Sequence, residues 1–255
     1  MLKVRIIPTL LWKNHSLVKS KRFSEWRKVG HLVPSVKVYN SRNVDEIIFL
    51  NISDLGENQI PDYNIVDEVA SHCFVPLTIG GNIRNLFDVQ KIIERGADKI
   101  SLNSILDSNI QIINEISKNF GSQAVVVSVD YRKLGNDYKI FFKGGKKKSD
   151  VNIFDHIKKV EDLGAGELLL NSIDNDGMMN GYELDMLSQI SKISNLPIIV
   201  SGGAGNYSHM KTAIDHGASA VSAASIFHFT EKTPEEAKNY LKINNIPIRK
   251  SIKLK

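Results

Sequence analysis

Two pairs of adjacent glycines stand out as residues that could bind an anion. Gly80–Gly81 and Gly202–Gly203 each follow a short apolar run, one in each half of the chain. Because glycine carries no Cβ, the backbone N–H groups at such a turn can approach an anion closely. One pair alone would be explained by a tight turn, whereas two pairs in matching surroundings predict two phosphate sites.

Each glycine pair opens a repeated unit of the sequence. A helical pattern follows, a Gly-Ala pair ends it at Gly96–Ala97 and at Gly217–Ala218, and another apolar run comes next. These runs end in Asn103–Ser104 and Ala224–Ser225, where a hydroxyl group and a helix N-terminus would add to a phosphate site. The repeat predicts two related halves and a substrate with an anionic group at each end.

Acidic residues follow two other apolar runs. Asp130 is the first charge after Val125–Val129, a position suited to a general acid or base, although a helix cap or a loop salt bridge would also explain it. Asp174 and Asp176 precede Gly177, but the other ligands of a calcium loop are absent. We therefore expect Asp174 and Asp176 to form a turn or to hydrogen-bond to substrate, and we expect no metal site.

Four charged residues lie at or near the starts of apolar runs, where buried positions are expected. They are Arg5, Glu46, Lys99 and Glu167. Buried charges are costly unless they pair, so four at one level of a barrel would form a closed ring. Such a ring is either an ordinary stabilising network or a polar gate that admits a small molecule, and the residues alone leave both open.

The elements that must position these residues alternate between strands and helices. Eight apolar runs are predicted as strands: Val4–Leu10, Glu46–Asn51, Val75–Ile79, Lys99–Asn103, Ala124–Asp130, Glu167–Asn171, Ile198–Ser201 and Ala220–Ala224. They lack the alternation of a half-exposed sheet, which indicates strands buried on both faces. Eight such units in 255 residues predict an α/β fold, a single (βα)₈ TIM barrel over residues 1–255 made of two related half-barrels.

Two connections are long for a barrel, and we expect them to be flexible loops that act as lids. They span Lys13–Gly30 and Lys133–Ser149. Much of the net charge of +5 lies in Lys13–Lys28, Lys143–Lys148 and Arg249–Lys255, as solvated lysines or as an attraction for an anionic substrate. No zinc-finger or RNA-binding motif accompanies them, so nucleic acid is not the expected partner.

The composition argues against other classes of protein. Hydrophobic residues make up 42% of the chain and charged residues 24%, as in a globular fold. Cys73 is the only cysteine, which excludes an intramolecular disulfide and suits a reducing cytoplasm. No window is apolar enough to span a membrane, and no signal segment precedes the first strand. We expect a cytoplasmic protein that binds no membrane, cofactor or metal.

Several motifs together resemble one known family over nearly the whole chain. They are Arg5–Pro8, Pro76–Gly81, Gly96–Lys99, Phe120–Gln123, Ser172–Asp174, Asp176–Gly177, Ser201–Gly205 and Ala223–Phe229. The family is the cyclase subunit of imidazole glycerol phosphate synthase, a (βα)₈ barrel. The resemblance implies a heterodimer with a glutaminase subunit at the N-terminal face, and ammonia that crosses the barrel to a bis-phosphorylated substrate.

The resemblance also assigns roles to individual residues. It implies proton transfer for Asp130, a place at the glutaminase interface for Asp98, and the ammonia entrance for the four-charge ring. Lys19 matches a lysine on a mobile loop over the active site. The expected substrate or phosphate contacts are Lys19, Gly81, Asn82, Asn103, Ser104, Asp176, Gly177, Gly202, Gly203, Ala224 and Ser225.

The chain departs from the family pattern at the mouth of the barrel. The family uses two aspartates as acid and base; one matches Asp130, but Leu11 occupies the position of the other. General acid–base catalysis contributes about 10² to 10⁴ in rate, so this loss predicts poor cyclisation. Asn51, Asn82 and Asn171 also stand where an aspartate, a glycine and a threonine are usual.

These departures favour one branch of the family over two alternatives. In that branch the barrel supplies glutaminase-derived ammonia, beside a sugar amidotransferase, to turn an acetamido group of a sugar into an acetamidino group in surface-polysaccharide biosynthesis. Its substrate would be phosphorylated or nucleotide-linked. The alternatives are an authentic cyclase of histidine biosynthesis, which Leu11 opposes, and a non-catalytic barrel that only activates its glutaminase.

Overall fold

The computed structural model describes residues 3–53 and 60–249. The strands of these residues are β1 (Arg5–Lys13), β2 (Ser16–Lys21), β3 (Ser24–Gly30), β4 (Ile47–Asn51), β5 (Leu77–Gly80), β6 (Lys99–Leu102), β7 (Val125–Leu134), β8 (Asp137–Phe142), β9 (Lys147–Lys148), β10 (Glu167–Ser172), β11 (Ile198–Ser201) and β12 (Ala220–Ala223). The helices are α1 (Leu32–Ser41), α2 (Tyr63–Ala70), α3 (Leu86–Ile93), α4 (Ile112–Phe120), α5 (Ile153–Asp162), α6 (Leu184–Ile193), α7 (Tyr207–Asp215), α8 (Ser225–Phe229) and α9 (Pro234–Ile243). Short 3₁₀ helices lie at Ser104–Asp107 and Ser122–Ala124.

Eight of the strands close into a parallel barrel. Their spatial order is β1, β4, β5, β6, β7, β10, β11 and β12, and the pairing of β12 with β1 closes the circle. Neighbouring strands in space are therefore neighbours along the chain, with helices in the connections. The predicted (βα)₈ barrel and its eight predicted strands are confirmed.

Side chains inside the barrel form an apolar layer of their own. Ile7, Ile48, Val126, Leu169 and Ile199 are at most 2% exposed and contact one another within the circle of strands. The opposite faces of the strands pack against the helices in a larger core. Both faces of these strands are therefore buried over most of their length, which explains why the sequence shows continuous apolar runs.

The sequence repeat is also a repeat of backbone conformation. Gly81 has a φ of +108° and Gly203 a φ of +113°, so both turns use left-handed backbone that other residues rarely adopt. Asn85 and Asn206 cap the following helices α3 and α7, and each side-chain oxygen accepts an N–H at 2.9 Å. The two halves therefore share matched turns and matched helix caps.

The two long connections differ from the prediction of flexible loops, because both contain β-hairpins. β1 continues past the barrel rim and pairs with β2, which pairs with β3. β7 likewise continues to Leu134 and pairs with β8. β3 is largely exposed, whereas four of the six residues of β2 and the last three of β8 are buried. Charged and buried positions are mixed along these strands, and backbone pairing with the extended barrel strands defines them. Their action as lids remains a prediction.

Three further features bear on the sequence predictions. Most of the basic tail Arg249–Lys255 lies outside the described residues, which end at Arg249. Within the described ranges, no helix has the length and apolar character needed to cross a membrane. The same ranges contain no group of three or more His, Cys, Asp or Glu side chains arranged to hold a metal ion.

Candidate functional site

The carboxyl ends of the barrel strands open into a cavity of about 740 Å³. Every predicted substrate or phosphate contact lines it: Lys19, Gly81, Asn82, Asn103, Ser104, Asp176, Gly177, Gly202, Gly203, Ala224 and Ser225. Asp130 and Leu11 line it as well. The fold thus brings the whole predicted set together, at the face where the active sites of such barrels lie.

Asp130 is the buried carboxylate of this cavity, with 7% exposure. Its Oδ1 accepts hydrogen bonds from Asn171 Nδ2 at 3.2 Å and from Ser128 Oγ at 3.5 Å. Burial raises the pKa of Asp130 to about 7; the hydrogen bond from Asn171 opposes this rise, and the charge of Asp176 adds to it. A carboxyl group that exchanges its proton near neutral pH suits acid–base chemistry.

Leu11 faces the same cavity from β1. It pairs with Val18 of the hairpin and with Leu50 of β4. Its side chain offers neither a hydrogen-bond donor nor an acceptor. Two residues earlier, Thr9 Oγ1 shares a hydrogen bond of 2.5 Å with Ser222 Oγ. This part of the mouth therefore presents apolar and hydroxyl groups.

Lys19 reaches the cavity from β2 and is 4% exposed. Burial lowers the pKa of Lys19 to about 8, and the carboxylate of Asp176 limits the fall. Ser20 Oγ donates to Asp176 Oδ2 at 2.7 Å, which joins the hairpin to the loop after β10. A Cβ on Gly177 would lie 2.0 Å from the carbonyl oxygen of Ser20, so this contact requires glycine. The hairpin thereby holds an amino group at the cavity.

The two glycine loops are not equivalent. In the second loop, a Cβ on Gly203 would lie 2.0 Å from the carbonyl oxygen of Gly181, so no larger residue fits. In the first loop, Asn82 follows Gly81 with a φ of +58°. Its Nδ2 is buried and has no hydrogen-bond partner among the described residues. The first loop therefore adds an unpaired donor that the second loop lacks.

The serines beside the two loops also differ. Ser104 Oγ accepts a hydrogen bond from the backbone N–H of Lys143 at 3.1 Å, which ties it to the turn after β8. Ser225 is 8% exposed and begins α8. Asn103 Nδ2 donates to the carbonyl oxygen of Ser128 at 3.0 Å. Ser104, the serine beside the first loop, is thus already bound to the turn after β8. The sequence did not indicate this contact.

The four predicted ring residues meet at the opposite end of the barrel. Arg5 Nη1 lies 2.8 Å from Glu46, and Arg5 Nη2 pairs with Glu167. Lys99 Nζ lies 3.0 Å from Glu46 and 3.1 Å from Glu167. Burial would lower the pKa of Arg5, but Glu167 and Glu46 raise it overall. Each charge has two partners of opposite sign, as a ring at this depth requires.

Two aspartates beside ring residues bind the neighbouring strands. Asp98 Oδ2 accepts the N–H of Leu77 at 2.8 Å, and Asp45 Oδ2 accepts the N–H of Ile6 at 2.9 Å. Asp45 Oδ1 also pairs with Lys238 Nζ at 2.7 Å, and both side chains are 2% exposed. Sequence reasoning missed this buried pair. Asp98 is exposed at the same end of the barrel, and its place in a partner interface remains a prediction.

The family model of histidine biosynthesis proteins matches residues 5–233. The chain belongs to this family. The imidazole glycerol phosphate synthase subunit HisF of Natranaerobius thermophilus is 39% identical over 98% of this chain and 100% of its own length. The corresponding subunit of Dictyoglomus thermophilum is 43% identical over 98% and 99%. A Campylobacter jejuni protein named as the synthase subunit hisF2 is 40% identical over 98% and 99%.

The sequence does not indicate that three further residues line the cavity. Lys13, Phe23 and Trp26 line the mouth from β1 and the β2–β3 hairpin. Lys13 Nζ lies 4.6 Å from the centre of the Trp26 ring. The indication in the sequence is that Trp26, one of two tryptophans in the chain, lies within a strongly basic segment. That signal does not show which way the ring points.

Proposed function

We propose that this chain is the ammonia-accepting barrel subunit of a glutamine amidotransferase complex. A glutaminase subunit docks at the N-terminal face and releases ammonia there. The barrel passes it to an anionic substrate in the cavity at the other face. The observation that carries the proposal is the closed ion-paired ring at the end of the barrel opposite the cavity. It consists of Arg5, Glu46, Lys99 and Glu167.

The barrel interior between ring and cavity suits neutral ammonia. The apolar layer of Ile7, Ile48, Val126, Leu169 and Ile199 follows the ring. An ammonium ion would lose its hydration there at a large cost, whereas neutral NH₃ carries no charge to desolvate. An internally paired ring also leaves no net charge to hold a cation at the entrance. The route therefore favours a small neutral molecule.

The mouth supports an anionic substrate and one proton-transfer group. Gly202–Gly203 and Ser225 provide an anion site, Lys19 adds a positive charge, and Asp130 exchanges a proton near neutral pH. Leu11 leaves Asp130 without the second carboxylate that cyclisation uses in the family. We therefore favour acetamido-to-acetamidino conversion of a sugar in surface-polysaccharide biosynthesis. The carbonyl oxygen must leave in activated form, so an ATP-using sugar amidotransferase completes the complex.

An authentic cyclase of histidine biosynthesis is the second candidate. Relatives named as imidazole glycerol phosphate synthase subunits match 98% of the chain, which supports it. The two glycine loops at one cavity also suit a bis-phosphorylated substrate. Leu11 opposes it. A barrel that only activates its glutaminase is the third candidate, and the buried Asp130 at the mouth opposes that one.

Reconstitution with a glutaminase partner tests the proposal. The chain should bind the glutaminase, and the complete complex should form an amidino sugar from glutamine. The chain should not convert the histidine-pathway intermediate when supplied with ammonium chloride, and robust turnover of that intermediate would overturn sugar amidination. Asp130→Asn should abolish amidino-sugar formation by the complete complex. An unchanged yield in this variant would instead support the activating barrel.

Leu11→Asp is the sharpest single substitution for separating the first two candidates. It restores a carboxylate to the mouth, so ammonia-dependent cyclisation should rise by at least about tenfold. Leu11→Asn is the matched control, because it has the same size and polarity without a titratable group. Steady-state turnover of the histidine-pathway intermediate measures both. A wild type that already cyclises as fast as Leu11→Asp would show that the second carboxylate is not needed here.

A further inference from the structure

The glycine loop after β11 is held in place from outside the cavity. Gly203 and Ala204 line the cavity, whereas Gly205 lies outside its lining. The carbonyl oxygen of Gly203 accepts the N–H of Gly181 at 2.8 Å. Gly205 packs so closely against the carbonyl group of Met179 that a Cβ at this position would overlap it. These contacts fix one side of the loop, and the N–H of Gly205 provides a further point of attachment.

His209 binds that N–H group. The N–H of Gly205 donates to His209 Nδ1 at 3.2 Å. His209 lies in the first turn of α7, and its own N–H donates to the capping oxygen of Asn206 at 2.9 Å. Its ring also lies against Gly181, the residue that binds Gly203. His209 does not line the cavity, so it contacts the loop and not the space that a substrate would fill.

The first half of the chain contains the same contact. The N–H of Arg84 donates to Asp88 Oδ2 at 2.9 Å, and the N–H of Asp88 donates to the capping oxygen of Asn85 at 2.9 Å. Arg84 and Asp88 precede Gly205 and His209 by the same number of positions. In both halves, a side-chain acceptor in the first helical turn therefore binds the backbone of the preceding glycine loop.

The surroundings of the His209 ring require it to accept a hydrogen bond. One ring nitrogen faces the N–H of Gly205, and the other lies 3.0 Å from Asn206 Nδ2, which is also a donor. A neutral imidazole has one acceptor nitrogen, and a protonated imidazole has none. Burial lowers the pKa of His209, which favours the neutral ring. The correspondence with Asp88 assigns the single acceptor to the N–H of Gly205.

We propose that His209 is a positioning residue for the anion site at the loop after β11. By holding Gly205, it fixes the backbone on which Gly203 and Ala204 present their N–H groups to the cavity. An anion site built from backbone donors depends on their common direction, so a loosened loop binds its anion less tightly. The inference rests on the anionic substrate of the proposed function, and it names a residue that sets the affinity of one anion site.

Phosphate binding at each loop tests this role. The full chain is labelled with ¹⁵N-glycine, and inorganic phosphate is titrated while the amide signals are followed by NMR. Gly203 reports the loop after β11, and Gly81 reports the loop after β5. His209→Leu should raise the Kd read at Gly203 by roughly five- to tenfold, because the N–H of Gly205 loses its acceptor. Gly81 should keep its wild-type signal and response, which shows that the variant is folded.

His209→Asn separates an acceptor role from packing. Asp88 shows that a side chain of this length reaches the loop N–H, and a carboxamide oxygen accepts it without adding charge. This variant should keep the wild-type Kd at Gly203 to within about twofold. His216→Leu is the matched control, because His216 is exposed at the end of the same helix and its ring contacts only the carbonyl group of Thr212 among the described residues. It should leave the Kd unchanged at both loops.

Three outcomes would overturn the positioning role. One is an equal Kd at Gly203 in His209→Leu and the wild type, and another is a His209→Asn variant that binds as weakly as His209→Leu. The third is a wild-type Gly203 signal that does not respond to phosphate, which would remove the anion site itself. Glutaminase binding and glutamine-dependent product formation are measured separately. Their failure with an intact phosphate response at Gly203 would remove the proposed function and keep the role of His209.

Discussion

At the scale of single residues, the pKa of Asp130 depends on the few groups that contact it. Burial favours its neutral form, and Asn171 and Ser128 favour its charged form by donating hydrogen bonds. The balance places its pKa at about 7. Asn171 therefore controls the proton on Asp130 although its own side chain does not titrate.

A pH profile tests that relation. Product formation from ammonia should fall as the pH drops through about 7, because Asp130 takes up a proton there and cannot act as a base. Asn171→Ala removes a hydrogen bond to the carboxylate, so the pKa of Asp130 should rise and the acid limb should move to higher pH. Rates are measured at a constant concentration of free NH₃, so that the titration of ammonium does not contribute.

Asn103→Ala is the control for this profile. Asn103 also lines the cavity, but its Nδ2 donates to the carbonyl oxygen of Ser128 and not to Asp130. Its removal should alter the maximal rate without moving the acid limb. An acid limb at the same pH in Asn171→Ala and the wild type would contradict the role given to Asn171.

At the scale of elements, the mouth of the barrel is formed by strands that belong both to the barrel and to a hairpin. β1 is a barrel strand up to the rim and then one strand of a hairpin, so Leu11 pairs with β4 on one side and with β2 on the other. β7 does the same with β10 and β8. The hairpins are thereby continuous with the barrel, which positions Lys19 at the cavity.

The end of the barrel that carries the four-charge ring is connected to helix α9. Lys238 on α9 forms an ion pair with Asp45, which directly precedes the ring residue Glu46. Asp45 also accepts the N–H of Ile6, which directly follows the ring residue Arg5. One buried ion pair thus joins the last helix to two strands of the ring. Because both side chains are 2% exposed, each charge relies on the other.

Lys238→Met should therefore lower the free energy of unfolding by about 3 to 5 kcal/mol, since Asp45 would remain buried without its cation. Adding Asp45→Asn should recover part of the loss, because a carboxamide can still accept the N–H of Ile6. Lys211→Met is the control; its pair with Asp215 is partly exposed, and its loss should cost less than about 1 kcal/mol. Urea unfolding measures all three, and equal losses in Lys238→Met and Lys211→Met would refute the role of the buried pair.

At the scale of the whole molecule, positive charge is concentrated at the mouth. Residues 13–30 contain six basic and one acidic side chain, and residues 131–148 contain seven basic and one acidic. These two hairpin segments hold more positive charge than the net +5 of the chain, so the remainder is net acidic. The resulting field directs anions toward the cavity.

Salt should therefore weaken substrate binding. Raising the ionic strength from about 0.05 to 0.5 M shortens the screening length to a few ångströms, and the KM for the anionic substrate should rise by roughly tenfold. Lys28→Gln combined with Lys148→Gln, both exposed on the hairpins, should reduce this salt dependence. Lys192→Gln, exposed in the last turn of α6, is the control and should leave it unchanged. A KM independent of salt would show that the field has no part in binding.

The amino-acid sequence alone was sufficient for the barrel, the glycine loops and the ring. Strands buried on both faces are largely apolar, and glycine pairs whose second residue has a positive φ recur in both halves. Arg5, Glu46, Lys99 and Glu167 were recognisable because charge at the start of a buried strand must be paired. Each of these inferences depends on a residue and its immediate neighbours along the chain.

Only the tertiary structure decided the hairpins, the aromatic side of the mouth and the buried pair at the closed end. Asp45 and Lys238 lie 193 positions apart, and nothing in either local segment indicates the other. In the sequence, Trp26 is only a tryptophan in a basic segment. In the structure, β3 pairs with β2 and Trp26 lines the cavity. Such contacts arise from the closure of the barrel, which brings together residues whose local patterns are independent, and so the sequence indicates the site but not its full lining.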